Sequence, residues 1–439
     1  MSIIKILTHS DNRNFQRLWF AQLISQFGDR IHQLALVGFV AERAFGSPTM
    51  LAKLLTFTII PVFIIQPFAG VFVDRWDRRT TLFVCDLARG ILVLLIPLIF
   101  IFWESMIPIY IIVFLAFCFS RFYMPAKMSI IPDIVDDNQL IVANSLVSTT
   151  GMIAFVLGCA LGGFLIDWFG ARNGFIVDSL TFFVSASIIF FITLPIKLKR
   201  EIKDIIETKA WKKAVEKRKS VWGEINECFV YLRAQKDIRF IINMLFILLA
   251  AAGSVYVVII VFIQNTFHSA TKHLGVLAVC LGIGLFLGAL AYGRWGRKFK
   301  WYNTIFFCLI LGGIMLMSFA IIVHNFPNMI IAMLLALMLG VVVGPVFITS
   351  NTVVHMVSDN EMRGKVFSAL EIVIHFAFLI SMITSSLLSE FIGQIWILSG
   401  IGLLVCGVGV VGFIKDKKGE LAFTNTIDTI DDSGLGSSC

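Results

Sequence analysis

Ionisable residues inside the first long apolar stretch are the strongest candidates for chemistry. This stretch contains Asp29, Arg30 and His32. In a helix that begins at Leu18, Asp29 lies about 16 Å along the axis at about 1.5 Å per residue, near the middle of a bilayer. Asp29 and His32 are three residues apart and share one face. Charged groups at that depth are costly and are typical of ion pathways. We predict that Asp29 binds and releases a proton; the alternative is a fixed ion pair that only sets helix packing.

A second cluster occurs in the eleventh apolar stretch. Glu371 and His375 are four residues apart and share one helical face. In a helix that begins at Gly364 they lie about 10 Å and about 16 Å deep. Glu371 is therefore a second candidate for proton binding near a central cavity. The alternative is a polar contact between the second and eleventh helices at one end of the bundle.

A third cluster lies towards one end of the third apolar stretch. Asp86 and Arg89 are three residues apart, and Asp74, Arg78 and Arg121 are other charged residues predicted near the same membrane surface. We expect these five residues to form a charge network that holds a closed state. The alternative for Asp86 and Arg89 is a pair whose charged ends reach the membrane surface.

Composition places the chain in a membrane and excludes several function classes. It is 58% hydrophobic and 15% charged with a mean hydropathy of +0.90, whereas soluble domains are about 45–50% apolar and about 25% charged. A net charge of +8 is better explained by membrane-flanking cations than by nucleic-acid binding. No metalloprotease, serine-hydrolase, nucleotide-binding or C-x-x-C motif occurs. We predict no enzyme activity, no cofactor and no resident metal centre, and uphill transport would therefore need an ion gradient.

Twelve apolar stretches predict an all-α protein with twelve transmembrane helices in two pseudo-symmetric six-helix bundles. The stretches are 18–41, 51–73, 81–103, 107–126, 140–166, 174–194, 239–264, 273–292, 302–323, 328–353, 364–389 and 394–414. The predicted domains are an N-terminal segment (1–17), a first bundle (18–194), a basic amphipathic linker (195–238), a second bundle (239–414) and a polar tail (415–439).

Lys and Arg residues predict the orientation. They concentrate in 75–79, in the linker 195–238, in 294–300 and in 415–418, whereas the opposite loops carry almost none. Cytoplasmic loops carry the excess of positive charge. We therefore expect a multi-pass membrane protein with both termini in the cytoplasm.

The two predicted bundles share short sequence patterns. The segment 70–79 contains an Arg-Trp pair followed by two cations. The segment 289–298 has the same pattern, with Arg294 and Trp295 followed by two further cations. A second similarity links the residues after Pro125 to those after Pro345. Both similarities fall at a displacement of about 220 residues. Duplicated bundles with a binding site between them are a recurring plan of transporters.

The segment 70–79 reads G-V-F-V-D-R-W-D-R-R. Its pattern G-x-x-x-D-R-x-x-R-R resembles the signature loop of the major facilitator superfamily, between the second and third helices. The resemblance implies that this loop belongs to the cytoplasmic gate. Its residues in this chain are Gly70, Asp74, Arg75, Arg78 and Arg79. We expect Gly70 to let neighbouring backbones approach closely.

The fifth apolar stretch contains a glycine motif. Residues 158–163 read G-C-A-L-G-G. They resemble the antiporter motif G-P-x-x-G-G of the same superfamily, with Cys159 in place of proline, and the intact motif accompanies export. Gly158, Gly162 and Gly163 are small residues that allow close helix packing.

Two further patches resemble the macrolide-efflux and enterobactin-exporter branch of the superfamily. They are F-Q-R-L-W (15–19) with S-Q-F-G-D-R-I (25–31), and P-D (132–133) with A-N-S-L (143–146). The resemblance implies a monomeric, proton-coupled exporter of an amphipathic compound such as a siderophore, a macrolide or another drug, located in a bacterial inner membrane. Its partners would be this small organic substrate, protons and membrane lipids, without nucleic acid. The alternatives are a lysophospholipid transporter, a metal-ion exporter or a non-transporting sensor.

Overall fold

The computed structural model describes residues 12–73, 75–102, 105–136, 139–193, 236–295, 301–357 and 363–417. Within these ranges the chain forms twelve α-helices. They are α1 (Arg13–Arg43), α2 (Pro48–Ile64), α3 (Gln66–Val73), α4 (Arg78–Phe102), α5 (Ile107–Ile134), α6 (Leu140–Phe190), α7 (Lys236–Phe267), α8 (Lys272–Trp295), α9 (Trp301–Asn325), α10 (Met329–Val357), α11 (Arg363–Ile392) and α12 (Gln394–Lys417).

The second predicted stretch, 51–73, is two helices and not one. Helix α2 ends at Ile64 and α3 begins at Gln66. Pro67 lies in the first turn of α3 and has no N–H to continue the hydrogen bonds of α2. The N–H of Phe68 instead donates to the carbonyl of Ile65 over 3.0 Å. The proline therefore explains the break.

The fifth and sixth predicted stretches join in the single element α6, and the predicted loop between them is reduced to one residue. Gly170 has φ 81° and ψ 160°, and the chain reverses there. Glycine adopts this conformation without the steric cost that a Cβ imposes. The N–H of Ala171 donates to Oε1 of Glu42 over 2.8 Å, so a carboxylate of α1 caps the start of the second half of α6.

Length and apolar composition show a multi-pass membrane protein. In the described ranges nine helices are long and apolar enough to cross a membrane, with α6 counted once although it reverses at Gly170. Large apolar side chains cover the outside of the bundle, for example Phe391 at 86% and Leu404 at 70% exposure. Apolar surface of this extent is typical of contact with lipid.

Helix pairing is similar in the two halves. In the first half α1 packs on α6, and α4 packs on α5 and α6. In the second half α7 packs on α11, and α9 packs on α10 and α12. The halves meet where α6 packs on α8 and where α2 packs on α11. The layout is the predicted one of two six-helix bundles. The linker up to residue 235 and the tail from residue 418 lie outside the described residues, so the predicted domain boundaries stay predictions.

The bundle has two ends, the terminal end and the far end. The terminal end is the one at which α1 begins (Arg13) and α12 ends (Lys417). The far end is the opposite one, which carries the connections between α1 and α2, between α7 and α8, and between α11 and α12.

Candidate functional site

A cavity of about 1200 Å³ lies between the two halves. Its walls come from α1, α4, α5 and α6 of the first half and from α8 and α10 of the second half. Helix α1 contributes a polar face to this wall, consisting of Gln22, Ser25, Gln26, Asp29, Arg30, His32 and Gln33. These polar side chains explain how a helix in the middle of a membrane protein can be polar: they face a cavity and not lipid.

The two halves contribute different chemistry to the cavity. All charged residues among its described lining belong to the first half: Asp29, Arg30, Arg89, Arg121 and Lys127. The described lining from the second half is apolar: Gly282, Ile283, Leu285, Phe286, Ala289 and Gly344. The cavity therefore offers one charged wall and one apolar wall, which suits a molecule with both polar and apolar parts.

Arg89 connects two carboxylates beside the cavity. Its guanidinium pairs with Asp86 on the same helix and lies 3.5 Å from Oδ1 of Asp29. Asp86 is fully buried and also accepts a hydrogen bond from the hydroxyl of Ser185 over 2.5 Å. The side chain of Asp29, in contrast, is 41% exposed. Of these two carboxylates, Asp29 is therefore the one that water or a ligand in the cavity can reach.

Aromatic rings hold Arg89 in place. Its guanidinium carbon lies 4.6 Å from the ring centroid of Tyr123 and 4.2 Å from that of Phe182. A guanidinium stacks well on aromatic faces, and desolvated cation–π contacts contribute up to about 2 kcal/mol. The position of this cation next to Asp29 is therefore fixed by packing from α5 and α6.

His32 belongs to a separate pair. Its Nδ1 lies 2.9 Å from Oδ2 of Asp178 on α6, and both side chains are buried. A Cβ on Gly28 would lie 2.6 Å from Oδ1 of Asp178, so the glycine allows the close approach of α1 and α6 that makes this pair. Asp29 and His32 thus have different charged partners. Sequence reasoning missed Asp178, whose only signal was an acid inside the sixth apolar stretch.

Arg30 lies on the cavity wall among neutral partners. It donates a hydrogen bond to Oε1 of Gln33 over 3.0 Å. Its guanidinium carbon lies 5.1 Å from the ring centroid of Phe155. A Cβ on Gly158 would lie 2.6 Å from Cβ of Arg30, so this glycine makes room for the arginine stem.

Glu371 and His375 pair with each other on α11. Nδ1 of His375 lies 3.3 Å from Oε2 of Glu371, and the two side chains are 31% and 47% exposed. They do not belong to the described lining of the cavity. Glu371 interacts electrostatically with Arg121 of the first half. The predicted role of Glu371 in proton binding stays a prediction.

Two arginines of the signature loop hold the start of α4 against α5 and α6 of the same half. Arg78 pairs with Asp133 on α5 and donates to the carbonyl of Ser129 over 2.9 Å. Arg79 donates to the carbonyl of Phe190 at the end of α6, and its guanidinium carbon lies 5.3 Å from that ring's centroid. A cation at a helix C-terminus interacts favourably with the last carbonyls. These contacts fasten α4, α5 and α6 together at the terminal end.

The predicted charge network is divided in the structure. Arg121 contacts Gln66 of α3 over 3.5 Å, whereas Asp86 and Arg89 lie beside Asp29. Arg75 lies in the turn after α3. Asp74 lies outside the described residues. The gate role of these residues stays a prediction.

The close approach predicted at Gly70 involves none of the described residues, so it stays a prediction. No described atom lies within 4 Å of the position that a Cβ would take there. Close contacts of α3 with its neighbours run through side chains such as Phe72, whose ring centroid lies 6.5 Å from that of Phe122.

The glycine motif of α6 lies at two helix contacts. Gly162 faces α1, where a Cβ would lie 3.3 Å from Ile31. Gly163 faces α8 of the other half, where a Cβ would lie 2.9 Å from the carbonyl oxygen of Thr271 and 3.1 Å from Cα of Gly275. With Gly158 against Arg30, the motif brings α6 close to both α1 and the second half.

Contacts between the two halves fasten the far end of the bundle. The hydroxyl of Thr271 donates to the carbonyl of Gly163 over 3.0 Å, and the hydroxyl of Ser269 donates to Oδ1 of Asp167 over 2.9 Å. The backbone N–H of Thr49 donates to Oε1 of Glu390 over 3.3 Å. These bonds join α6 to the connection between α7 and α8, and α2 to α11. The cavity is thus closed at the far end by direct contact of the halves.

Comparison with known proteins agrees with this architecture. The family model described as "Major Facilitator Superfamily" matches residues 18–354 and 242–428. The chain is 25% identical to the "Uncharacterized MFS-type transporter YfiS" of Bacillus subtilis (strain 168) over 427 residues, which cover 93% of this chain and 95% of the relative. It is also 25% identical over 413 residues to the "Putative bacilysin exporter BacE" of the same strain, with coverage of 90% and 92%.

Solved structures show the same fold at low sequence identity. A bacterial homologue of the iron transporter ferroportin in an inward-facing state superimposes with a TM-score of 0.68 at 14% identity, covering 91% of this chain and 98% of that one. A POT family transporter in complex with 5-aminolevulinic acid gives a TM-score of 0.70 at 10% identity, covering 92% and 96%. The twelve-helix fold and the family model lead to one conclusion: the chain is a membrane transporter that belongs to the major facilitator superfamily.

Proposed function

We propose that the protein is a secondary active exporter, which exchanges an amphipathic organic compound for protons by alternating access. The observation that carries this proposal is the cavity between the halves, with Asp29 exposed on its charged wall and an apolar wall opposite. Compounds of this kind include siderophores, macrolides and other drugs. The resemblance to the macrolide-efflux and enterobactin-exporter branch supports the same substrate class.

The conformation suits the loading of a substrate for export. The distribution of Lys and Arg favours cytoplasmic termini. The terminal end of the bundle then lies on the cytoplasmic side of a bacterial inner membrane. The bonds from Thr271 and Ser269 then close the outer side, and the cavity belongs to an inward-facing state. A monomer has all the parts that this cycle needs, because both halves of the cavity come from one chain.

Proton coupling is assigned to Asp29. Arg89 on α4 lies 3.5 Å from it, and Asp86 on α4, Lys127 on α5 and Asp178 on α6 are near enough to interact with it electrostatically. A proton on Asp29 removes its attraction to Arg89 and to any cationic group of a substrate. Proton and substrate therefore compete for one carboxylate, which is the requirement for exchange in opposite directions.

Export, and not import, is the direction that two observations support. Residues 158–163 retain the glycines of the antiporter motif, and these glycines lie where α6 contacts α1 and α8. One of the relatives at 25% identity is named as an exporter.

A metal ion is a poorer fit to the site than an organic compound. The two predicted ligands, Asp29 and His32, pair with Arg89 and Asp178 respectively. The described residues contain no group of three or more His, Cys, Asp or Glu side chains that could hold a metal ion. Transition metals are bound by N, O and S ligands, and the described side chains of the apolar wall supply none.

Transport into inverted membrane vesicles tests the proposal. Labelled siderophores, macrolides, lysophospholipids and metal ions are supplied outside vesicles that contain the full chain. We expect accumulation of an organic compound that stops when the pH gradient is dissipated. Lipid movement without a gradient would show a lysophospholipid transporter, metal accumulation would show a metal exporter, and no movement of any probe would favour a non-transporting role.

A further inference from the structure

We propose that the transported compound carries a basic and an acidic group at separate positions, with the basic group bound by Asp29 and the acidic group by Arg30. This inference rests on the proposed function and specifies its substrate class. It comes from two side chains of opposite charge on one cavity wall. Arg30 has only neutral partners, and Asp29 shares its cationic partner, Arg89, with Asp86.

Arg30 is the cation with room for an acidic ligand. Its partners in the structure are the amide of Gln33 and the ring of Phe155, both neutral. None of the ion pairs in the described part of the chain includes Arg30. A guanidinium presents several N–H donors in a planar fork that matches a carboxylate or phosphate group. A ligand anion would supply the charged acceptor that the protein does not.

Two neighbouring cations reinforce the preference for an anion. Lys127 lines the cavity while only 4% exposed, and it interacts electrostatically with Asp29 and Arg89 without an ion pair of its own among the described residues. Nε of Arg121 is buried and has no hydrogen-bond partner among the described residues. Glu371 lies near enough to interact with this arginine electrostatically. The charged wall is therefore more positive than negative among its described residues, and a buried cation such as Lys127 is costly without an ion pair.

Asp29 is the single carboxylate among the described lining residues. Its cation Arg89 is shared with Asp86, which holds it more closely and accepts from Ser185 as well. The 3.5 Å distance from Arg89 to Asp29 and the 41% exposure of the Asp29 side chain leave an oxygen free for a second cation. A basic group of the substrate fits that position and competes there with the proton.

Helix geometry separates the two ligand charges. Consecutive residues of an α-helix point about 100° apart around the axis, so Asp29 and Arg30 cannot bind neighbouring atoms of a small group. The apolar part of the ligand then contacts Phe155 beside Arg30 and Phe286 and Ile283 on the opposite wall. A substrate of this class has the dimensions of an aromatic dipeptide or larger, with its ionised ends apart.

A matched set of four probes tests the inference on the purified full chain. The probes are L-phenylalanyl-L-phenylalanine, its N-acetyl derivative, its amide and its N-acetyl amide, and binding is measured by isothermal titration calorimetry. We expect the doubly charged dipeptide to bind about tenfold or more tightly than either singly blocked form, because each blocked end loses a charge-assisted hydrogen bond. Equal affinity of the four probes overturns the inference.

Two variants assign the ends. Arg30→Gln is expected to bind the free acid and the amide equally, and Asp29→Asn to bind the free amine and the N-acetyl form equally. The N-acetyl amide reports on folding, since its affinity should be unchanged in both variants. Arg13→Gln and Asp416→Asn make the same chemical changes at the start of α1 and the end of α12, away from the cavity lining, and should keep the wild-type preferences.

Failure of this inference is distinguishable from failure of the proposed function. A retained preference for the free acid in Arg30→Gln contradicts the assignment of Arg30. If none of the four probes binds while the vesicles export another compound, the substrate class is wrong and the exporter stands. If neither binding nor transport of any compound occurs, both proposals are wrong.

Discussion

The substitution Gly275→Ala tests whether the contact between α6 and α8 closes the far end of the bundle. A Cβ on Gly275 would lie 2.3 Å from the carbonyl oxygen of Cys159 and 3.1 Å from Cα of Gly163. Both obstacles are backbone atoms of α6, so no side-chain rotation relieves the clash and the helices have to separate. Overpacking of this kind costs about 1–3 kcal/mol.

The cost falls on one conformation only. In a state with the far end open, α6 and α8 are apart there and the added methyl group meets no backbone. The difference of about 1–3 kcal/mol therefore changes the ratio of open to closed forms by about 5- to 150-fold in favour of the open form. Gly407→Ala is the matched control, because nothing lies within 4 Å of a Cβ at Gly407.

Distances between spin labels measure this shift. Trp168 at the far end of α6 and Phe326 after α9 belong to different halves and are each 67% exposed. Labels on cysteines at these positions, with the native cysteines replaced, should report a longer distance population in Gly275→Ala than in the wild-type chain or in Gly407→Ala. An unchanged distance distribution in Gly275→Ala would refute the claim that this contact closes the far end.

Two further substitutions have expected outcomes. Asp86→Asn breaks a fully buried ion pair with Arg89, and we expect a loss of about 3 kcal/mol in stability, measured as a lower thermal unfolding midpoint in detergent; an unchanged midpoint would mean that the pair is dispensable. Thr271→Val removes the hydrogen bond to the carbonyl of Gly163, worth about 1 kcal/mol, and should shift the spin-label distances towards the open form by a smaller amount than Gly275→Ala. A shift in the opposite direction contradicts the assignment of this bond.

Much of the fold was predictable because apolar length determines which segments cross a membrane. The break at Ile65 had a local signal in Pro67, which the apolar pattern of 51–73 obscured. The reversal at Gly170 is shorter than the loop that the sequence predicted. One glycine with positive φ and a cap from Glu42 are enough to reverse the chain there.

The site was harder to predict because its pairs join distant segments. Helix depth alone put Asp29 near the membrane centre, where the structure places it on the cavity wall. Its partner Arg89 and the partner of His32, Asp178, depend on how α1 packs against α4 and α6, and no local pattern contains this information. Sequence reasoning grouped Arg89 with the gate for the same reason: depth along a helix does not reveal the direction in which a side chain points.

The central claim is that Asp29 exchanges a proton with the cavity in competition with the substrate. The most direct measurement compares wild-type and Asp29→Asn chains in inverted vesicles that maintain a pH gradient, with the compound found in the substrate screen. Amounts of folded protein in the two preparations are matched. We expect gradient-driven accumulation to be lost in Asp29→Asn, while binding of the uncharged N-acetyl amide probe is retained. Undiminished gradient-driven export by Asp29→Asn would contradict it.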